Sequence, residues 1–176
     1  MKILGVDPGS RATGWAVVDF TAAPRLVAAG VLRPPPALPF AGRLEFLHRS
    51  LGSIVERETP GTAVVERVFA GVNAQSLIAL GEARGVLLLA LAQAGLPAAE
   101  ITPAEIKRAI AGSGSAEKEQ VRRMVAALLG RRLALDAADA AAAALAHGFV
   151  VARRGATRGP EALAAAARVV VRRPAG

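Results

Sequence analysis

The segment Leu135-Asp136-Ala137-Ala138-Asp139-Ala140-Ala141-Ala142-Ala143-Ala144-Leu145-Ala146 constrains the fold more than any other stretch. It reads as the start of a helix over Leu135 to Ala152, because alanine has the highest helix propensity. Alanines fill little space, so such a helix can approach another surface closely. Asp136 and Asp139 are spaced i,i+3 and share one face, where like charges repel. A cation against that face accounts for both acids. The alternative is that they sit in the first turn and answer the helix dipole, a reading that suits Asp136 better than Asp139.

Upstream, Ile3 to Asp7, Gly14 to Phe20 and Leu26 to Leu32 read as strands of an antiparallel meander, with the turn Pro8-Gly9-Ser10-Arg11-Ala12-Thr13 after the first. After Pro34-Pro35-Pro36, residues Ala41 to Glu58 carry Leu44, Leu47, Leu51, Ile54 and Val55 at helical spacing. Thr62 to Glu66 reads as a buried strand, and Ala74 to Ala94 as a helix. That helix is more apolar than one buried face requires, so it is either a central core helix or one that also forms a dimer interface. Ala98 to Thr102 reads as a fifth strand and Pro103 to Ile110 as a short helix. A further helix is expected to begin at Ser115 as N-cap, with Val121, Met124, Val125 and Leu128 at helical spacing. The resulting fold class is α/β, a mixed five-stranded sheet with an antiparallel meander followed by parallel strands, flanked by helices. One domain over 1-152 is expected, with a basic, mobile tail over 153-176 whose arginines give salt-dependent DNA affinity.

Asp7 ends an otherwise apolar strand, and a carboxylate there is costly unless hydrogen-bonded, paired or bound to a cation. It either caps the following turn or serves a site. Glu66 repeats the pattern, and parallel strands bring their carboxyl ends to one edge. Its alternative partner is Arg67 or a more distant arginine. The chain has no cysteine and only His48 and His147, so thiolate and histidine-rich metal sites are excluded. A metal would be held by carboxylate oxygens, which favour Mg²⁺ or Mn²⁺. Four acids from two strand ends and one helix suit two such cations, the arrangement used in phosphodiester cleavage. The net charge of +8, carried by 22 Lys and Arg against 14 Asp and Glu, suits a polyanionic partner, although high genomic GC content also enriches arginine. The N-terminus lacks the long apolar stretch of a signal peptide, and uninterrupted apolar runs are short, so a soluble, cytoplasmic protein is expected.

These residues carry a family resemblance. Gly5-Val6-Asp7-Pro8-Gly9-Ser10-Arg11-Ala12-Thr13-Gly14, Val65-Glu66-Arg67-Val68-Phe69, Asn73-Ala74-Gln75-Ser76 and Gly81-Glu82-Ala83-Arg84-Gly85-Val86 occur in the order found in the RuvC family of bacterial Holliday-junction resolvases. Gly112-Ser113-Gly114-Ser115-Ala116-Glu117-Lys118 and Asp136-Ala137-Ala138-Asp139-Ala140 continue the match, which ends near Phe149. The resemblance implies a ribonuclease H-like fold and a homodimer that nicks four-way junction DNA symmetrically, leaving 5′-phosphate and 3′-hydroxyl ends. It implies Asp7, Glu66, Asp136 and Asp139 as Mg²⁺ ligands for two ions, with Mn²⁺ able to substitute, and the helix around Gly81-Ala94 as the dimer element. It further implies Phe69 against an unstacked base, Lys107 and Lys118 on DNA phosphates, and RuvA and RuvB as partners. The chain departs from the pattern at Ala70-Gly71-Val72, where a basic residue is often found, which leaves Arg67 to supply a phosphate contact. His147, eleven residues after Asp136, is read as lying behind the ligands or as purely structural. Competing readings are an ATPase of the actin and sugar-kinase type, a catalytically inert junction binder, and an RNA-processing nuclease of the same fold. The first needs two related domains, for which 176 residues are too few.

Overall fold

In the computed structural model, which describes residues 1–67 and 73–157 with side chains to residue 153, five strands form one sheet. They are β1 (Lys2–Asp7), β2 (Thr13–Asp19), β3 (Arg25–Leu32), β4 (Thr62–Glu66) and β5 (Ala98–Ile101), and they lie in the order β3-β2-β1-β4-β5. β1 and β2, and β2 and β3, pair antiparallel, whereas β1 and β4, and β4 and β5, pair parallel. The meander and the two parallel additions agree with the sequence reading. Helices α1 (Phe40–Glu58), α2 (Ala74–Gln93), α3 (Pro103–Ala111), α4 (Lys118–Leu129) and α5 (Leu135–Thr157) cover the two faces.

Strand alternation sorts the core into two layers. Leu4 and Val6 of β1, Val17 of β2 and Ala63 and Val65 of β4 face α1 and α2, where Leu47, Leu51, Leu87 and Leu91 are fully buried. Ile3, Ala16, Val18 and Val64 face the other way, against the alanines of α5, with α3 and α4 completing that layer. The same period of two carries Asp7 and Glu66, the next residues of their alternating sets, to the α5 side.

α5 reaches the sheet closely because both surfaces lack side-chain bulk. A Cβ at Gly5 would fall on the carbonyl oxygen of Ala140, and one at Gly14 on the carbonyl oxygen of Asp136. Ala140, Ala141, Ala143 and Ala144 are fully buried. Farther along the helix, Gly148 admits the ring of Phe20, which meets Phe149 edge to face with centroids 6.0 Å apart.

Among the boundaries that differ from the sequence reading are the start of α4 and the ends of β5 and α5. Ser115 does not open α4, whose N-cap is Glu117. The Ser113 and Ser115 hydroxyls bond each other at 2.8 Å, and Ala116 N–H donates to the Ser113 carbonyl, so this segment is a turn with Ala116 buried beneath it. Thr102 leaves the fifth strand to cap α3, forming a capping box with Glu105. α5 also continues five residues past Ala152, while residues 158–176 lie outside the described residues.

As whole helices, α2 and α5 are long and apolar enough to cross a membrane by length and composition, although their uninterrupted apolar runs are short. Packing separates them. The apolar stretch of α5 is 56% buried as the core helix, whereas that of α2 is only 22% buried and presents Ile78 and Leu89 outward. The core role read for α2 is met by Ala83, Leu87, Ala90 and Leu91, and an outer apolar face remains.

The close contact makes a definite demand on sequence. Gly5→Ala should lower unfolding free energy by about 3 kcal/mol or more, because backbone atoms must separate. Gly52→Ala, mid-helix in α1 with open space at the Cβ position, should instead raise it by about 0.5–1 kcal/mol. Denaturant titration of both variants checks this, and equal effects would refute the contact.

Candidate active site

The carboxyl ends of β1 and β4 lie side by side, with Val6 paired to Val65, so Asp7 and Glu66 emerge together. The turn after Asp7 is fixed from within: the Thr13 hydroxyl, fully buried, donates to the Gly9 carbonyl at 2.8 Å and accepts from Gly9 N–H at 3.2 Å. Asp7 is therefore not needed to close that turn. Asp7, Glu66 and Asp139 line one cleft, floored by Ile106, Val121 and Ala142 and flanked by Lys107 and Lys118.

The acids differ in their partners. Among the described residues, neither Asp7 nor Glu66 takes part in a side-chain hydrogen bond or ion pair. Arg67 does not neutralise Glu66: its Nε donates to Glu100 Oε2 at 3.0 Å, beside Arg84 Nη2 at 2.8 Å from the same oxygen. Asp139 is held by Arg122 at 2.9 Å and has Lys118 Nζ 4.0 Å away. Asp136 does not line the cleft, and Arg33 Nη2 stands 3.4 Å from its Oδ2 at the flank.

Burial is the main cause that raises the Asp7 carboxyl to about 7, reinforced by the charges of Glu66, Asp139 and Asp136 and opposed by Lys118. Glu66 is also raised to about 7, again chiefly by burial and then by Asp139, with Lys118 opposing. Two carboxylates are thus held in a desolvated, mutually repelling field that a positive charge would relieve.

As the side chains stand, no three Asp, Glu or His groups among the described residues are close enough to share a cation, and each helix acid faces an arginine. The donor chemistry nevertheless fits a hard divalent cation. The cleft offers only carboxylate oxygens as anionic donors, and those of Asp7 and Glu66 make no side-chain hydrogen bond or ion pair among the described residues.

Of the other anticipated residues, Lys107 and Lys118 are at the cleft, and Arg67 lies outside its lining on Glu100. His147 is half-buried and also outside that lining. Phe69 and Ala70-Gly71-Val72 lie outside the described residues. Sequence reading did not single out Arg122 or Arg33. The available signal for Arg122 was its i,i+4 spacing from Lys118, which places both cations on one face of α4.

An antiparallel meander extended by two parallel strands, with acids at the carboxyl edge and on a crossing helix, defines the class: a ribonuclease H-like nuclease scaffold. The family model described as "Crossover junction endodeoxyribonuclease RuvC" matches residues 3–147, and the chain belongs to that family. Among similar proteins, that of Halorhodospira halophila is 50% identical over 148 residues, covering 83% of this chain and 89% of its own. That of Xanthobacter autotrophicus is 47% identical over 151 residues, covering 84% and 89%. Both are crossover junction endodeoxyribonucleases RuvC. The structure of T. thermophilus RuvC in complex with Holliday junction substrate superposes with a TM-score of 0.81 at 34% identity, covering 88% of this chain and 96% of that one. The yeast mitochondrial Holliday junction resolvase Ydc2, at 12% identity and TM-score 0.59 over 83% of this chain and 78% of its own, shares the fold.

The raised carboxyls set a pH dependence. Folded Asp7 and Glu66 retain protons between pH 4 and 7 that the unfolded chain has lost, so their contribution to stability falls as pH rises through that window. The lowered carboxyls, Asp19 at about 2 and Glu105, act below it. In EDTA, the melting temperature should be higher near about pH 5.5 than near about pH 8, and Asp7→Asn should reduce the difference. Thermal melts at the two pH values check this, and the opposite slope would refute it.

Proposed function

We infer that this chain is a structure-selective DNA endonuclease that resolves four-way junctions by hydrolysing phosphodiester bonds. The observation that carries the mechanism is the pair of raised, unpartnered carboxyls, Asp7 and Glu66, in a cleft shared with Asp139 and flanked by Lys107 and Lys118. Asp7, Glu66 and Asp139, joined by Asp136 once it leaves Arg33, would hold two Mg²⁺ ions, with Mn²⁺ able to substitute. Ions held there would supply the Lewis-acid chemistry that activates water and stabilises charge on oxygen in phosphodiester hydrolysis.

The chain's own groups do the remaining work. Lys107, from the helix capped at Thr102, and Lys118, at the first turn of α4, approach the cleft from different elements and would bind the phosphates on either side of the scissile bond. The Lys118 charge also partly offsets the repulsion felt by Asp7 and Glu66. Ile106, Val121 and Ala142 keep the floor apolar, which strengthens these interactions by limiting water. Arg67, poised on Glu100 at the start of the 68–72 segment, and Phe69 within that segment are proposed to meet the DNA backbone and an unstacked base.

Symmetric cleavage requires two sites, and the outer face of α2 supplies a reason for a dimer. Ile78 and Leu89 are 63% and 51% exposed, and Gly81 and Gly85 lie between them with open space at their Cβ positions. Small residues flanked by apolar ones allow a second helix to approach closely, and a twofold pair of such faces is self-complementary. The protein is proposed to act in the cytoplasm with the junction as its DNA partner.

Incubation with a synthetic four-way junction and Mg²⁺ tests the proposal beside linear duplex and RNA duplex. The wild type should nick the junction in paired strands and leave both linear substrates largely intact, whereas Asp7→Asn should lose at least about a hundredfold in rate. Leu89→Asp should sediment as a monomer and lose the pairing of nicks. Equal nicking by Asp7→Asn would overturn the mechanism, RNA preference would overturn the substrate, and a dimeric Leu89→Asp would overturn the interface.

A further inference from the structure

Asp139 is the helix carboxylate that lines the cleft, and both of its oxygens are already engaged. Arg122 Nη2 donates to Oδ2 at 2.9 Å and Nε to Oδ1 at 3.3 Å, so one guanidinium covers the whole carboxylate. The pair is well shielded, with side chains 22% and 20% exposed. Asp7 and Glu66, in the same cleft, have no such donor among the described residues. A forked guanidinium takes one lone pair on each oxygen and sets a positive charge against the same carboxylate, so it opposes a divalent cation that would bind there.

On the reading that Asp7, Glu66 and Asp139 bind the divalent cation, we propose that Arg122 is a positioning residue that competes with that cation for Asp139 and so sets the metal concentration at which the site loads. The clamp is not needed to dock α4, because Val121 and Val125 of the same helix are buried in the core layer beneath α5. Nor is the guanidinium stranded when displaced. Glu119, three residues earlier on the same helix, also lies within its field, as does Asp136. Lys118, 4.0 Å from Asp139 Oδ2, makes only a distant single contact and cannot cover both oxygens. Arg122 is therefore a built-in counter-ion that lowers the cost of burying Asp139 and gives way as the cation loads.

Calorimetric titration of Mn²⁺ into the full chain without DNA, at one pH, tests this for wild type, Arg122→Gln and Arg122→Lys. Arg122→Gln should bind Mn²⁺ about tenfold more tightly, since a charge-assisted bidentate contact no longer opposes loading, and Arg122→Lys should fall between the two. Thermal melts supply a second readout. Arg122→Gln should melt lower than wild type in EDTA yet gain more from added Mn²⁺, whereas a purely structural arginine would lower both curves alike. Unchanged or weaker Mn²⁺ binding in Arg122→Gln, with the wild type still binding, would overturn the competition and leave the metal site standing. Absence of Mn²⁺ binding in every form would overturn both.

Discussion

The backbone contact between α5 and the sheet at Gly5 and Gly14 is the constraint on which the rest of the structure depends. There a helix and two strands come into direct backbone contact. That closeness brings Asp139, from a helix that crosses the sheet, into the cleft with the strand-end acids Asp7 and Glu66. A Leu or Val at Ala140, or any Cβ at Gly5, would push the helix outward and with it Asp139. The alanine run is thus both a core and a positioning device, which explains why a stretch so poor in side-chain volume is buried from Ala140 to Ala146.

The site works against the stability of the fold that holds it. Burial and repulsion lift Asp7 and Glu66 to about 7, far from the ordinary carboxylate range, and neither has a protein partner among the described residues. The other acids show what the fold does when no site is at stake: Asp19 is tied to the N-terminus and Thr21, and Glu105 completes a capping box. Asp136 and Asp139 each face an arginine, Arg33 and Arg122. Lys107 and Lys118 complete a field that suits a divalent cation and a phosphate together.

Much of this was legible in the sequence for physical reasons. Period-two alternation ending on Asp7 and Glu66 and the alanine helix with its i,i+3 acids are local patterns that fit strand ends and a close-packed helix in an α/β sheet. The start of α4 was not legible, because Ser115 has the chemistry of a cap but spends its hydroxyl on Ser113. The partners of the arginines were not legible either. Nothing in the local spacing says that Arg67 turns to Glu100 rather than Glu66, or that Arg122 reaches seventeen residues ahead to Asp139. Those pairings depend on which elements pack together, whereas the acids' placement depends on strand ends, and strand ends can be read locally. The substrate came from family membership, since carboxylates and positive charge alone specify only phosphodiester chemistry.

The central claim is that close docking of α5 completes a divalent-cation site from Asp7, Glu66 and the helix acids. A crystal structure with bound Mn²⁺, located by its anomalous scattering, tests it most directly. The account predicts anomalous density within coordination distance of Asp7, Glu66 and at least one of Asp136 and Asp139, with α5 still seated on Gly5 and Gly14. Manganese bound elsewhere, or a cleft that stays empty of it at saturating concentration, would contradict the account.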